Sequence, residues 1–323
     1  MKRLRSGLTA LLAIAVSAVP IIYIATHTQQ MYDWWALRNY QPPTAVVALA
    51  DETTMNTDSR RVFYVNRPQI QDKAAFYASC NENEQTIVLG CYIERKGIFL
   101  LHVSDERLNG VEQVTAAHEM LHAAYDRLAN SEKAKINTLL NQEYSKLNDP
   151  SITEKINEYK KNGADVINEL HSILGTEVAD LSPELELYYR QYFTDRAKIA
   201  AYAKQYENVF ISRKKQLEDY NSQLDSIEKQ VVANNASLAT QAQDLDAEKA
   251  RLTELRNNGD IDSYNAGVAP YNSKLRVYNN LVDQTKQLVA EYKSILDRRN
   301  QLAVEAQELT KALDSRISTP DSK

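Results

Sequence analysis

The C-terminal part of the chain carries a heptad pattern of apolar and polar positions. Apolar residues recur at alternating spacings of three and four over residues 217–255, and again over residues 264–309. This period of about 3.5 residues is typical of the buried seam of a coiled coil. Between the two seams, Asn-Asn-Gly-Asp at residues 257–260 is a turn signal. The pattern predicts an antiparallel helical hairpin over residues 204–315, with its turn near residues 257–263.

Residues 44–203 show shorter and mixed periods, which predict a small domain of strands and helices. Apolar runs predict strands at residues 44–50, 61–65, 86–93 and 97–103, with the last two paired as a hairpin. A helical stretch is predicted at residues 69–80, and amphipathic helices at residues 111–128, 131–147, 152–161 and 166–174, with a further helix after Ser182. The predicted fold class is therefore α+β, mainly α.

The N-terminus carries an uncharged, apolar run over residues 6–26, directly after Lys2, Arg3 and Arg5. About 20 apolar residues can span a bilayer, and basic residues stay on its cytoplasmic side. We therefore predict a single-pass membrane anchor in residues 1–27, with the N-terminus inside and the bulk of the chain outside the cytoplasm. A cleaved signal peptide is the alternative, and it would make the protein secreted.

Two polar segments complete the predicted organisation. Residues 28–43 are predicted to be a spacer after the anchor, in which Trp34 and Trp35 would lie at the outer membrane interface. Residues 316–323 are predicted to be a disordered tail. The order is therefore anchor, spacer, a mixed domain, a coiled-coil hairpin and a tail.

Composition and charge exclude one class of partner. The net charge is −5, and the chain has no basic stripe beyond its N-terminal tip. A nucleic-acid partner is therefore not expected. The low content of Gly and Pro, at 8 each, favours a largely helical protein.

The two cysteines, Cys80 and Cys91, lie close together in the sequence. In an oxidising compartment they could form a disulfide that closes a short loop, which agrees with export of the chain. Two free buried thiols are the alternative.

The sequence HEMLH at residues 118–122 is an HExxH motif inside an apolar helical pattern. Four residues advance a helix by slightly more than one turn, so His118 and His122 lie on one face and can bind one zinc ion. Glu119, beside the first histidine, can reach a water at the metal without binding the metal itself. This motif predicts a catalytic zinc site with Glu119 as its general base.

A second motif suggests the third zinc ligand. The sequence INELHS at residues 167–172, followed by Gly-Thr at residues 175–176, resembles the third-ligand helix of thermolysin-like gluzincins. The resemblance implies that Glu169 is the ligand. His171 and Glu177 are alternatives. The gap between the two motifs is longer than in thermolysin, so the resemblance is to the gluzincin clan and not to the thermolysin family proper.

The same resemblance suggests residues that would stabilise the transition state. A His or a Tyr stabilises the oxyanion in several gluzincins, which makes His171 and Tyr189 candidates. Aromatic packing of Tyr189 is the alternative reading. The order of strands followed by an HExxH helix also matches the zincin layout, in which an edge strand beside the helix pairs with an extended peptide.

These patterns lead to two hypotheses of function. The first is a membrane-anchored, extracytoplasmic zinc metallopeptidase that acts on a peptide or protein substrate, with the coiled coil pairing with a partner or a second copy. The second is a structural or adaptor protein of the cell envelope, in which the coiled coil is the functional part and the zinc site is degenerate or structural.

Overall fold

The computed structural model describes residues 28–80 and 88–316, and 77% of them are helical. A single small sheet of three strands is found in these ranges, so the prediction of an α+β fold is wrong and the described chain is essentially all-helical. The chain divides into two compact units. Within the described residues, the first comprises residues 28–80, 88–208 and 311–316, and the second comprises Val209–Thr310.

The secondary-structure elements follow one another in a mainly helical order. They are α1 (Thr28–Leu37), α2 (Thr44–Glu52), α3 (Thr57–Val65), β1 (Gln69–Gln71), α4 (Lys73–Cys80), β2 (Gly90–Ile93), β3 (Gly97–Leu101), a 3₁₀ turn (Glu106–Leu108), α5 (Val111–Asp126), α6 (Asn130–Lys146), α7 (Pro150–Asn162), α8 (Val166–Thr176), α9 (Pro183–Tyr189), α10 (Arg196–Asn257) and α11 (Ile261–Leu313).

The sheet has the strand order β1-β3-β2, so β2 lies at one edge. β2 pairs antiparallel with β3, with Cys91 opposite Phe99, and β1 pairs parallel with β3. The predicted hairpin is therefore present. Its turn includes Arg95 and Gly97 at positive φ, and a Cβ on Gly97 would lie 2.8 Å from the carbonyl oxygen of Asn66. Glycine is required there because both the conformation and the space exclude a side chain.

The first two predicted strands, at residues 44–50 and 61–65, are wrong because both segments are helical, in α2 and α3. The buried residues of α2 are Val46, Leu49 and Ala50, which is the spacing of one helix face. α3 begins after Asn56, whose side chain accepts hydrogen bonds from the second and third backbone amides that follow it. Short apolar runs do not distinguish a buried helix from a strand. The helix predicted for residues 69–80 also divides, into β1 and α4.

The described residues contain no membrane anchor, in contrast to the predicted fold. Within residues 28–80 and 88–316, no helix is both long enough and apolar enough to cross a membrane. Residues 1–27, on which the prediction was placed, lie outside the described residues. The segment predicted as a spacer contains α1, whose buried Asp33 accepts a hydrogen bond from Arg127 at 2.9 Å.

The core of the first unit centres on α5, which packs most extensively against α8. Several small side chains of α5 are fully buried, which allows its neighbours to approach closely: Ala116, Ala117, Ala123 and Ala124. Gly175 of α8 also allows a close approach of α8 to α5. A Cβ on Gly175 would lie 2.5 Å from Leu121 Cδ1 and 2.8 Å from Tyr189 Cε1. The two helices that carry the HExxH motif and Glu169 are therefore held in direct contact.

The second unit is an antiparallel hairpin of α10 and α11. Its turn, at residues 258–260, falls inside the predicted range and has Gly259 at φ 76°. Asn234 donates a hydrogen bond across the helices to Thr285 at 3.1 Å. An apolar cluster of the seam also joins the two helices, made by Leu224, Ile227 and Ile295. The predicted disordered tail, apart from Arg316, lies outside the described residues.

Candidate metal centre

His118 and His122 lie one turn apart on α5, with their rings 4.7 Å apart between centroids and inclined at 75°. Both side chains are largely buried, at 13% and 12% exposed. The apolar face of α5 fixes this placement, because it packs into the core and leaves the histidines facing a cleft. Donor atoms of His118, Glu119 and His122 all lie within 4.8 Å of one another.

Glu169 faces the two histidines from α8. Its Oε2 lies 3.5 Å from His118 Nε2, and its Oε1 lies 3.6 Å from His122 Nε2. A tetrahedral zinc centre with bonds of about 2.1 Å separates its donor atoms by roughly 3.4 Å, so these distances fit ligands of one ion. Oε2 of Glu169 is also buried and has no hydrogen-bond partner, which a cation between the three side chains would provide.

The electrostatics of the three side chains favour a positive charge at this position. Burial lowers the pKa of His118, but the facing carboxylate of Glu169 and the charge of Glu119 outweigh it and raise that pKa above its ordinary value. Burial and the neighbouring His118 lower the pKa of His122 to about 4. Burial raises the pKa of Glu169, yet its contacts with both histidines bring that pKa below its ordinary value. The carboxylate of Glu169 thus favours positive charge beside the two imidazoles, which a bound metal ion would also supply.

Asn168 orients His122. The distance from His122 Nδ1 to Asn168 Oδ1 is 3.0 Å. Because a carbonyl oxygen can only accept, Nδ1 carries the hydrogen, and the lone pair of Nε2 points toward Glu169. This is the arrangement by which residues around a metal fix the tautomer of a histidine ligand.

Replacing Asn168 by Ala is expected to weaken metal binding by about 10- to 100-fold, because His122 loses the partner that holds its ring. The measurement is a competition titration of zinc against a chelator of known affinity. Asn168→Asp, which keeps an acceptor oxygen at the same place, is the matched control and should retain most of the affinity. Equal affinity of Asn168→Ala and the native protein would contradict this role.

Glu119 is 5% exposed and is confined between α5 and the edge strand β2. A Cβ on Gly90 would lie 2.9 Å from both Cγ and Oε1 of Glu119, and 2.5 Å from Thr115 Cγ2. The absence of a side chain at residue 90 therefore lets β2 pass directly over the carboxylate. A side chain at residue 90 would therefore displace Glu119 or Thr115.

Two cavities flank His118 and Glu119. The larger, of about 520 Å³, is bordered by the edge strand, by α5 and by α7. The smaller, of about 270 Å³, also contains His122 and Glu169. Both cavities share His118 and Glu119, so the open space beside these residues can accommodate a peptide chain.

Tyr159 is a site residue that the sequence analysis did not identify. It lies on α7, lines both cavities and forms a hydrogen bond with Glu169. The signal was present, since Ile152, Ile156 and Tyr159 follow the spacing of one apolar helix face, and the first two are buried. A phenol at this place can donate to Glu169 or to a bound oxygen atom.

His171 and Tyr189, the predicted transition-state stabilisers, do not line either cavity as described. His171 is fully buried among aromatic rings, with Nε2 2.8 Å from the hydroxyl of Tyr188, and burial lowers its pKa to about 3. Tyr189 donates to the backbone carbonyl of His171 at 2.7 Å. Two residues advance a helix by roughly 200°, so His171 faces away from Glu169 into the core. The alternative ligand Glu177 is paired with Lys155.

Cys80 and Cys91 are joined by a disulfide. It connects the end of α4 to the edge strand β2, and Cys91 lines the smaller cavity. Phe76, Phe99 and Leu101 form an apolar cluster against which both cysteines pack. The crosslink thereby fastens the strand that borders the candidate site.

No protein-family model matches the chain, and neither a curated protein nor a solved structure is similar enough to count as a match. The interpretation of the site therefore depends on its own geometry.

Proposed function

We propose that this chain is a zinc-dependent metallopeptidase of the HExxH type, with a gluzincin-like set of ligands. One observation carries the proposal: the Nε2 atoms of two histidines and a carboxylate from another helix face each other at ligand spacing, with Glu119 beside them in a cleft. Two imidazoles and one carboxylate are a donor set of catalytic zinc, and this set leaves a fourth position open.

His118 and His122 would hold the zinc ion through Nε2, and Glu169 through its carboxylate. When bound, zinc supplies a Lewis acid that polarises a carbonyl and lowers the pKa of water. Glu119 accepts the proton of the water that attacks the peptide carbonyl, and it then delivers this proton to the departing amine nitrogen. Tyr159 holds Glu169 by a hydrogen bond and keeps the carboxylate in place.

The edge strand β2 is the proposed binding site for the substrate backbone. β3 pairs with one side of β2, and the residues of β2 border the smaller cavity beside His118 and Glu119. An extended peptide can add to such an edge through backbone hydrogen bonds, which accept many sequences. This mode of binding would carry a peptide bond across the site.

An oxidising compartment outside the cytoplasm is the proposed location. The disulfide between Cys80 and Cys91 supports it, because such bonds persist in exported proteins and are rare in reducing compartments.

A structural or adaptor role is the second candidate, and the extent of the helical hairpin supports it. α10 and α11 have 62 and 53 residues, and they expose apolar side chains such as Val232 and Val277. A coiled-coil partner or a second copy of the chain could bind there.

Removal and return of the metal is the experiment that tests the proposed function. The purified chain is expected to contain about one zinc ion and to hydrolyse members of an internally quenched peptide library. A chelator should abolish hydrolysis, and one equivalent of zinc should restore it. A zinc-loaded protein that cleaves no peptide of the library would favour the adaptor function, and a protein that binds no zinc would exclude the peptidase.

A further inference from the structure

The larger cavity beside His118 and Glu119 is lined by both apolar and charged side chains. Val88, Leu89 and Val114 supply apolar walls. Its other lining residues include two carboxylates and an ammonium group, from Glu158, Glu177 and Lys155. The same cavity thus offers contact surface for an apolar stem and for a charged group.

Carboxylates outnumber the cations among the charged residues of this cavity. Lys155 is shared between Glu177, which it contacts directly, and Glu207, whose Oε1 lies 3.4 Å from its Nζ. Glu158 adds a third carboxylate to this one ammonium group. The other lining cation, Arg316, is bound by Asp314 at 2.8 Å. The described charged groups that line the cavity, together with their ion-pair partners, therefore carry an excess of negative charge.

We infer that this cavity is a specificity subsite for a lysine or arginine side chain of the peptide substrate. Such a side chain has an apolar stem and a cationic head, so its stem would lie along Val88, Leu89 and Val114 while its head reaches Glu177 and Glu158. The excess carboxylates would supply the charge partner, and the Lys155 contact would hold Glu177 in place. This inference rests on the proposed function, since it names the substrate of the same site.

The N-terminal ammonium group of a peptide is another source of the same chemistry. The apolar walls of the cavity favour a side chain, because a terminal amine has no apolar stem to cover them. The experiment therefore uses peptides with a free and with an acetylated N-terminus.

The test compares internally quenched peptides, each made with a free and with an acetylated N-terminus, that differ at a single residue next to the cleaved bond. That residue is lysine, arginine, norleucine or glutamate, where norleucine keeps most of the stem and lacks the charge. We expect kcat/KM for lysine or arginine to exceed that for norleucine by about tenfold or more, with glutamate lowest. Equal values for lysine and norleucine, or a gain confined to peptides with a free N-terminal amine, would overturn the inference.

Two variants test whether the preference for lysine over norleucine comes from this cavity. Glu177→Gln keeps an acceptor for Lys155 and removes a charge, and Glu158→Gln makes the same change at an exposed position where folding is not at risk. Each should reduce the ratio of lysine to norleucine cleavage by several-fold. Glu154→Gln, an exposed residue on the same helix outside this cavity, is the matched control and should leave the ratio unchanged. An unchanged ratio in both cavity variants would overturn the assignment.

Equilibrium binding separates a failure of this inference from a failure of the proposed function. If the zinc-loaded protein cleaves none of the peptides, the peptidase proposal fails. The affinities of the same peptides for the zinc-loaded protein then show whether the cavity binds a cationic side chain. Tighter binding of lysine than norleucine peptides, reduced in Glu158→Gln, would support a cation subsite, and equal affinities would exclude it.

Discussion

Replacing Glu119 by Gln is expected to lower kcat for peptide hydrolysis by about 10²- to 10⁴-fold while zinc stays bound. Glutamine has the size and shape of the native side chain, so it fits the narrow space beneath Gly90. It cannot accept the proton of the attacking water at neutral pH, and this removes the general base. The measurement is steady-state hydrolysis of a quenched peptide together with the zinc content of each sample.

The zinc content decides what the loss of activity means. Glu119 is proposed as a base and not as a ligand, so the variant should bind as much zinc as the native protein does. Glu184→Gln, an exposed glutamate in the first turn of α9, is the matched control and should change neither quantity. Activity equal to the native level would exclude Glu119 as the base, and loss of zinc would make it a ligand.

The parts of this protein that the sequence predicts well have strong local periodicity. The heptad pattern predicts that the turn between the two long helices lies near residue 259. The small apolar residues around the HExxH motif predict a buried helix. Glu169 could be predicted as the third ligand because it belongs to the INELHS motif, and in the structure it lies beside both histidines. In each case a short-range rule, the phase of a helix or the spacing of a motif, determines the placement.

The remaining wrong predictions concern places where tertiary contacts determine the secondary structure or the direction in which a side chain faces. Residues 44–50 contain β-branched and small apolar residues, and their helical form depends on packing Val46 and Leu49 into the core. His171 has the chemistry of a catalytic residue, but its position on α8 turns it toward Tyr188. The contact of Tyr159 with Glu169 requires α7 to lie across the cleft, and no local pattern encodes that approach.

Removing Glu169 is expected to weaken zinc binding by more than about 100-fold, since even residues that only orient the ligands contribute 10- to 100-fold. Glu169→Ala removes both oxygens that face the histidines and leaves two ligands. At a free zinc concentration 100 times the native dissociation constant, binding stabilises the native fold by about 2.7 kcal/mol. At the same concentration the variant should gain no more than about 0.4 kcal/mol. Chemical denaturation with and without zinc measures both values.

The alternative third ligand supplies the comparison for this experiment. Glu177→Gln alters a carboxylate that contacts Lys155, and its zinc-dependent stabilisation should equal that of the native protein. Loss of the zinc effect in Glu177→Gln, with retention in Glu169→Ala, would transfer the ligand role to Glu177. Because the comparison is made between zinc-free and zinc-loaded samples of each variant, any change in the stability of the metal-free fold cancels. What remains is the free energy of zinc binding, which distinguishes a metal ligand from a residue that stabilises the fold alone.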